Sequence, residues 1–154
     1  MKQSDTNPAL VVRAAGATCA FPVSQVLETM RPLPIQPVAN LPAFVLGVAL
    51  VRGVAMPVVS LSAFFDGKAP SEGARFVTLR AGARTVAVLV DSVVGIAELS
   101  QDNFQELPPL LSQIQPEVME TIGRLDSELV VVLRGARLVP DSVWEAASVA
   151  GVAR

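Results

Sequence analysis

Between Leu41 and Leu61 the sequence runs LPAFVLGVALVRGVAMPVVSL, the most apolar segment of the chain, with Arg52 as its single charge. Three structures can absorb such a run: a membrane span, a buried helix, or two core strands turning at Val51-Arg52-Gly53. About 20 apolar residues suffice to cross a bilayer as a helix. However, Pro42, Gly47, Gly53 and Pro57 punctuate the run, and valine is its commonest residue. An arginine at the bilayer centre costs at least ~2.5–3.5 kcal/mol. The run therefore predicts two strands, about Phe44–Leu50 and Val54–Ser60, with Arg52 at the turn.

The same pattern recurs on both sides. Leu10–Arg13 and Thr18–Phe21 predict a hairpin around Ala14-Ala15-Gly16-Ala17, and Phe76–Arg80 and Arg84–Val90 predict another around Ala81-Gly82-Ala83. Asp91–Leu99 reads as a turn and strand, and Val118–Leu125 with Leu129–Leu133 as a last hairpin through Asp126-Ser127-Glu128. Val23, Val26, Leu27 and Met30 have helical spacing, but their β-branched content equally allows a strand. Pro32, Pro34 and Pro37 make residues 31–40 an extended connection, and Pro108, Pro109 and Pro116 preclude one long helix over 100–115. Short helices are expected at Ser62–Phe65 and at the C-terminus. There Ser142 and Glu145 have capping-box spacing, Val143, Ala146, Ala147 and Ala150 form an apolar stripe, and Gly151 suits the C-terminal cap. Residues 1–9 read as a disordered lead without an export signal, and 10–150 as one domain of two subdomains.

A weak repeat links the halves. Arg13-Ala14-Ala15-Gly16-Ala17, a strand, then Val23-Ser24-Gln25-Val26-Leu27 is echoed by Arg80-Ala81-Gly82-Ala83-Arg84, a strand, then Val90-Asp91-Ser92-Val93-Val94. Gly47–Val59 has a looser echo in Gly123–Val131. Two similar small barrels follow, each completed by strands of its own half or exchanged with the other.

Composition narrows the chemistry. Hydrophobic residues make up 51% and mean hydropathy is +0.51, which predicts strands buried on both faces or a surface that meets partners. Histidine is absent, removing the commonest general base and metal ligand. Cys19 stands alone, so no internal disulfide or thiolate cluster for a metal can form; a buried hydrophobe in a reducing cytoplasm is its expected role. Net charge is −2 and pI about 5.1, and with one Trp and no Tyr the chain lacks the profile of a nucleic-acid binder. The carboxylate pairs Asp91 with Glu98 and Asp126 with Glu128 sit in turn contexts without a nucleophile and orienting base, so an enzyme is disfavoured.

One ordered set of residues resembles the CheW-like domains of bacterial chemotaxis coupling proteins. It comprises Phe21-Pro22-Val23, Val26-Leu27-Glu28, Asn40-Leu41-Pro42-Ala43-Phe44, Gly47 with Arg52-Gly53, and Pro57-Val58-Val59. The second half adds Leu89-Val90-Asp91-Ser92-Val93 and Gly123-Arg124-Leu125-Asp126. The likeness extends over about Leu10–Val149. It implies an all-β fold of two SH3-like five-stranded β barrels side by side, with a few short helices including a C-terminal one. It also implies no catalytic activity, no cofactor and no direct membrane insertion. The implied role is that of a cytoplasmic adaptor clustered with membrane-bound receptor arrays. Its implied partners are the cytoplasmic hairpin of a chemoreceptor and the regulatory domain of a CheA-type histidine kinase.

The resemblance places Glu28 and Val26 at a partner-binding surface, and Gly47 and Arg52 at positions of receptor and kinase contact. From the residues alone, Arg52 is either an ordinary solvated turn charge or, flanked by apolar strands, a donor set lying over a hydrophobic interface; Glu28 is the polar side of a short turn, Gly47 a bulge or close backbone approach, and Asp91 a cap or turn. Ile96 and Val77 fit either a kinase-facing barrel surface or the core, with core the preferred reading. Leu50, Ser60 and Arg134 depart from the family's common Asn, Asp and acidic or amide residues. They open an alternative: a divergent accessory protein that engages one partner and modulates array or kinase activity.

Overall fold

The computed structural model describes residues 6–67, 69–100, 119–125, 128–133 and 138–149. The chain is built mostly of strands: β1 Thr6–Ala14, β2 Ala17–Pro22, β3 Val26–Met30, β4 Ile35–Gln36, β5 Val45–Val51, β6 Val54–Ser60, β7 Arg75–Ala81, β8 Arg84–Val90, β9 Ser92–Ser100, β10 Met119–Leu125 and β11 Glu128–Leu133. Among the described residues these are joined by two short helices, α1 Leu61–Asp66 and α2 Asp141–Val149, and a 3-10 turn at Val23–Gln25. β1 thus begins at Thr6, ahead of the hairpin expected from Leu10, and residues 1–5 lie outside the described set, as do 101–118, Asp126, Arg134 and Gly151.

Paired two-residue turns explain the hairpins. Ala15 and Gly16 have φ of 54° and 77°, and Arg52 and Gly53 have 49° and 80°. Both turns therefore carry positive φ at both central positions, the form whose twist matches that of the strands it joins. The ambiguous stretch after Pro22 resolves as one 3-10 turn followed by strand β3, because β3 finds a ladder along β7.

The strands form a five-stranded sheet, ordered β10-β11-β2-β1-β9, and a six-stranded one, ordered β3-β7-β8-β6-β5-β4. The sixth strand is the two-residue β4, lying within the proline-rich connection. In the five-stranded sheet the outer strands β9 and β10 approach within Cα–Cα distances of 8 Å, so the sheet curls toward closure.

The order also resolves the repeat. Hairpin β7–β8 is flanked by β3 and, through a parallel pairing with β8, by hairpin β5–β6. Hairpin β1–β2 is flanked by β9 and, through a parallel pairing with β2, by hairpin β10–β11. The pattern is the same in both sheets, and each sheet takes one hairpin from each half of the chain, so the strands are exchanged. Both edge ladders carry a bulge, which leaves Leu27 of β3 and Val94 of β9 without a directly opposed residue.

Burial on both faces accounts for the high hydropathy. Leu10, Val12, Phe21, Val59, Val77, Leu79, Val86, Val88 and Val90 share one core cluster with Leu61 of α1 and Val143 of α2. The opposite faces fill two smaller clusters, one around Val58, Phe76, Ala87 and Leu89 and the other around Ala9, Val11, Ala20, Val130 and Val132. Alternate residues of β1 and β8 thus face different apolar cores, so these strands read as unbroken apolar runs.

Helix α1 is closed at both ends. Ser60 Oγ accepts from Ala63 N at 3.2 Å, and Gly67 takes the left-handed C-cap with φ 75°. Ser60 is fully buried, and its hydroxyl is the helix cap, a role that the Asp implied there by the resemblance would also fill. Helix α2 begins at Asp141, which puts Ser142 in its first turn rather than at the cap expected for it; Pro140 O accepts from Val143 N at 2.9 Å. Arg84 stacks over Trp144 at 5.0 Å and holds α2 against the end of the β7–β8 hairpin.

Candidate protein-interaction surface

Two of the four residues singled out from sequence meet. Arg52, at the β5–β6 turn, donates from Nε to Glu28 Oε2 at 2.7 Å and from Nη2 to Glu28 Oε1 at 2.9 Å. This is the planar two-point match between guanidinium and carboxylate. The side chains remain 75% and 31% exposed respectively. The hydrogen bond from Arg52, with its charge, lowers the Glu28 pKa below the ordinary glutamate range, and Glu28 in turn raises that of Arg52.

Glu28 is held by β3 and β7. Its N–H donates to Thr78 Oγ1 at 3.2 Å and its carbonyl accepts from the same hydroxyl at 3.3 Å. Thr78 is buried, so the carboxylate projects from a fixed backbone. Val26, on the same strand, is half-buried and packs against the shared core.

Gly47 lies on β5, five residues from Arg52 and roughly 16 Å along an extended strand, so it is not part of the ion pair. Its φ is 144°, and a Cβ there would collide with Gln36 O, sit 2.8 Å from Gln36 C and 3.0 Å from Pro37 Cα. Gly47 therefore admits the close approach of β4. Pro34, Ile35 and Gln36 meet Val48, Ala49, Leu50 and Ala55 there in an open, mainly apolar groove of about 400 Å³.

Apolar side chains flank the ion pair. Leu50 is 66% exposed and Val54 50%, either side of Arg52, and Leu27 beside Glu28 is 44% exposed. A second exposed apolar pair lies on the other sheet, where Val94 and Ile96 of β9 are 54% and 67% exposed. Val77 is core as expected, but Ile96 is not. The signal was present in the sequence: Ser92 and Glu98 share strand parity with Val94 and Ile96, and a face with polar ends meets water. Leu27 was missed because its spacing fits a helix face, whereas the β3 bulge turns it outward.

Asp91 does more than turn the chain. Its Oδ2 accepts from Ala15 N at 3.0 Å, its Oδ1 from Ser71 N at 3.4 Å, and its own N–H donates to Arg13 O at 2.9 Å. Both carboxylate oxygens are thus engaged with backbone amides rather than with Glu98. The pair Asp126 with Glu128 falls outside the described side chains. Among the described residues no group of three or more Cys, Asp or Glu could hold a metal ion, and no helix is long and apolar enough to cross a membrane.

The sequence model of the CheW-like domain matches residues 8–143. The chemotaxis protein CheW of Rhizobium meliloti is 29% identical over 116 residues, covering 74% of this chain and 75% of that protein. Its counterpart in Helicobacter pylori is 27% identical over 117 residues, covering 75% and 70%. The crystal structure of the scaffolding protein TtCheW from Thermoanaerobacter tengcongensis superposes with a TM-score of 0.78 at 18% identity, covering 90% of this chain and 95% of that one. That likeness extends the agreement from sequence to fold.

Proposed function

The chain belongs to the CheW-like domain family, whose members are scaffold and adaptor proteins of chemotaxis, and from that premise we propose that it couples chemoreceptor cytoplasmic hairpin tips to the regulatory domain of a CheA-type histidine kinase. It does so without catalysis or cofactor, in the cytoplasm, within a receptor array, as one domain of two barrel-like subdomains. The observation that supports this most is the presence of two separate exposed apolar surfaces, one on each sheet. The first is Leu27, Leu50 and Val54 around the Arg52–Glu28 pair; the second is Val94 and Ile96. Charged groups beside exposed apolar side chains have the makeup of a protein interface, with the charge supplying register.

Two surfaces on one chain make the second binding event local, at high effective concentration. Arg52 and Glu28 would contact a partner directly, Val26 would support β3 from beneath, and Gly47 would act through the placement of β4. Purified protein mixed with a receptor signalling fragment and the cognate kinase is expected to co-sediment with both; co-sedimentation with neither overturns the proposal. The exposed Leu50, where the family commonly has Asn, favours a second reading in which the chain engages one partner only. In that case co-sedimentation occurs with a single partner, and Leu50→Asn restores the other.

A further inference from the structure

The chain crosses from the six-stranded sheet to the five-stranded one at a single residue, Asp91, between the end of β8 at Val90 and the start of β9 at Ser92. At that point it makes three hydrogen bonds to two other parts of the molecule. Asp91 N–H donates to Arg13 O at 2.9 Å, immediately before the β1–β9 ladder begins at the Arg13–Ser92 pair. Oδ2 accepts from Ala15 N at 3.0 Å, in the turn of the β1–β2 hairpin. Oδ1 accepts from Ser71 N at 3.4 Å, in the loop that leads into β7 of the other sheet. One carboxylate therefore touches the tip of a five-stranded-sheet hairpin and the approach to a six-stranded-sheet strand at once.

The Ala15 amide suits this tie. It occupies the first central position of a two-residue turn, where the N–H points away from the ladder and has no cross-strand acceptor. Ala15 also holds φ at 54° without being glycine, a conformation that surrounding contacts must sustain. A carboxylate accepting from a backbone amide makes a charge-assisted bond, stronger than that of a neutral acceptor; the part-buried Ala15 bond at 3.0 Å is the stronger of the two, and the exposed Ser71 bond at 3.4 Å the weaker.

We propose that Asp91 is a positioning residue that fixes the angle between the two sheets, and that this angle couples the surface around Arg52 to the surface around Ile96. The second clause rests on the adaptor reading; the first stands on the geometry alone. An adaptor that holds two partners in register needs its surfaces locked relative to each other, and the exchanged strands leave the crossover as a place where that lock can act. Asp91 touches neither surface, so its loss leaves each surface intact and alters their relation.

The test uses the full chain with Asp91→Ala and the near-isosteric Asp91→Asn, which keeps one side-chain oxygen acceptor. Residual dipolar couplings of the amides in each sheet measure the inter-sheet orientation, and amide exchange at Ala15 reports the tie itself. A changed or broadened inter-sheet orientation, with faster exchange at Ala15, is expected in Asp91→Ala and to a smaller degree in Asp91→Asn. Binding to a receptor fragment alone and to the kinase regulatory domain alone should change less than about twofold, while the cooperativity of the three-component complex falls about fivefold or more. Couplings that fit the wild-type orientation in Asp91→Ala overturn the proposal, and if that variant does not fold, the same result in Asp91→Asn does so. Should the wild-type protein bind neither partner, the adaptor reading falls while the dipolar couplings still decide the role of Asp91.

Discussion

Arg52 and Glu28 join parts of one sheet that its strand order keeps apart. Strand β3 stands three spacings from β6 and four from β5 in that order, roughly 14–19 Å if the sheet were flat. Yet the guanidinium Nε sits 2.7 Å from the carboxylate. Only a strongly curled sheet brings them together, and the pair marks where its edge meets the β5–β6 turn. An exposed pair adds little to stability, so the proposed adaptor role gives it a different use, presenting a fixed charge pattern among Leu27, Leu50 and Val54.

Replacing Arg52 should therefore separate binding from folding. Arg52→Asn gives the turn the Asn-Gly pair that its geometry favours and removes the guanidinium. Thermal unfolding should stay near that of the wild type, while affinity for the partner at this surface drops roughly tenfold or more. Calorimetric unfolding alongside titration binding checks both, and a large loss of melting temperature with unchanged binding would return Arg52 to a structural role.

The pair also fixes a direction of pH dependence. Hydrogen bonding and charge from Arg52 lower the Glu28 pKa in the folded chain. The contribution of the pair is then fully present above the unfolded glutamate value of ~4.3 and is lost as pH falls through the lower folded value. Acid titrations of wild type and Glu28→Gln should converge below that range and part above it. Parallel curves throughout would show that the pair is not linked to folding.

Gly47→Ala tests backbone approach rather than partner contact. A methyl group at φ 144° meets Gln36 and Pro37 main chain, so β4 must shift or the strand must strain, at a cost of roughly 1–3 kcal/mol. Urea denaturation should show the loss, and nuclear magnetic resonance shifts should cluster at residues 34–37. Full stability with lost binding would instead place Gly47 in the interface itself.

Cys19 provides a clean probe of global unfolding. It is completely buried, and burial pushes its thiol up to about 12 from 9.0. A thiol reagent at neutral pH should label the native chain only as fast as the core opens, with the rate tracking denaturant-dependent unfolding. Stability should also fall as pH rises through 9.0 toward about 12, because the unfolded thiol ionises first. Rapid labelling under native conditions would show local opening around β2.

Much of the fold was legible because its signals are local. Turn residues at Ala15-Gly16 and Arg52-Gly53 mark hairpins, and Ser142 with Glu145 marked a terminal helix even though Ser142 proves to lie inside it. The candidate site was legible in part. Arg52 and Glu28 could be named, but each was read singly; that they form one pair depends on how the six-stranded sheet curls. Gly47 reads as a bulge or a close backbone approach, and both are present: the β5–β6 register shifts between Val45 and Gly47, and Gln36 is what approaches it.

Sequence alone marked the hairpins β1–β2, β5–β6 and β7–β8, offered burial on both faces as one reading of the high hydropathy, and carried a weak repeat between the halves. Each follows from residue periodicity and turn chemistry within about a dozen positions. Tertiary structure alone decided that the halves exchange strands, that Asp91 ties the crossover to Ala15, and that Ile96 faces outward while Val77 is sealed inside. The physical reason is range. A strand fixes which of its residues share a face, but which face is covered depends on the partners that long-range closure brings to it.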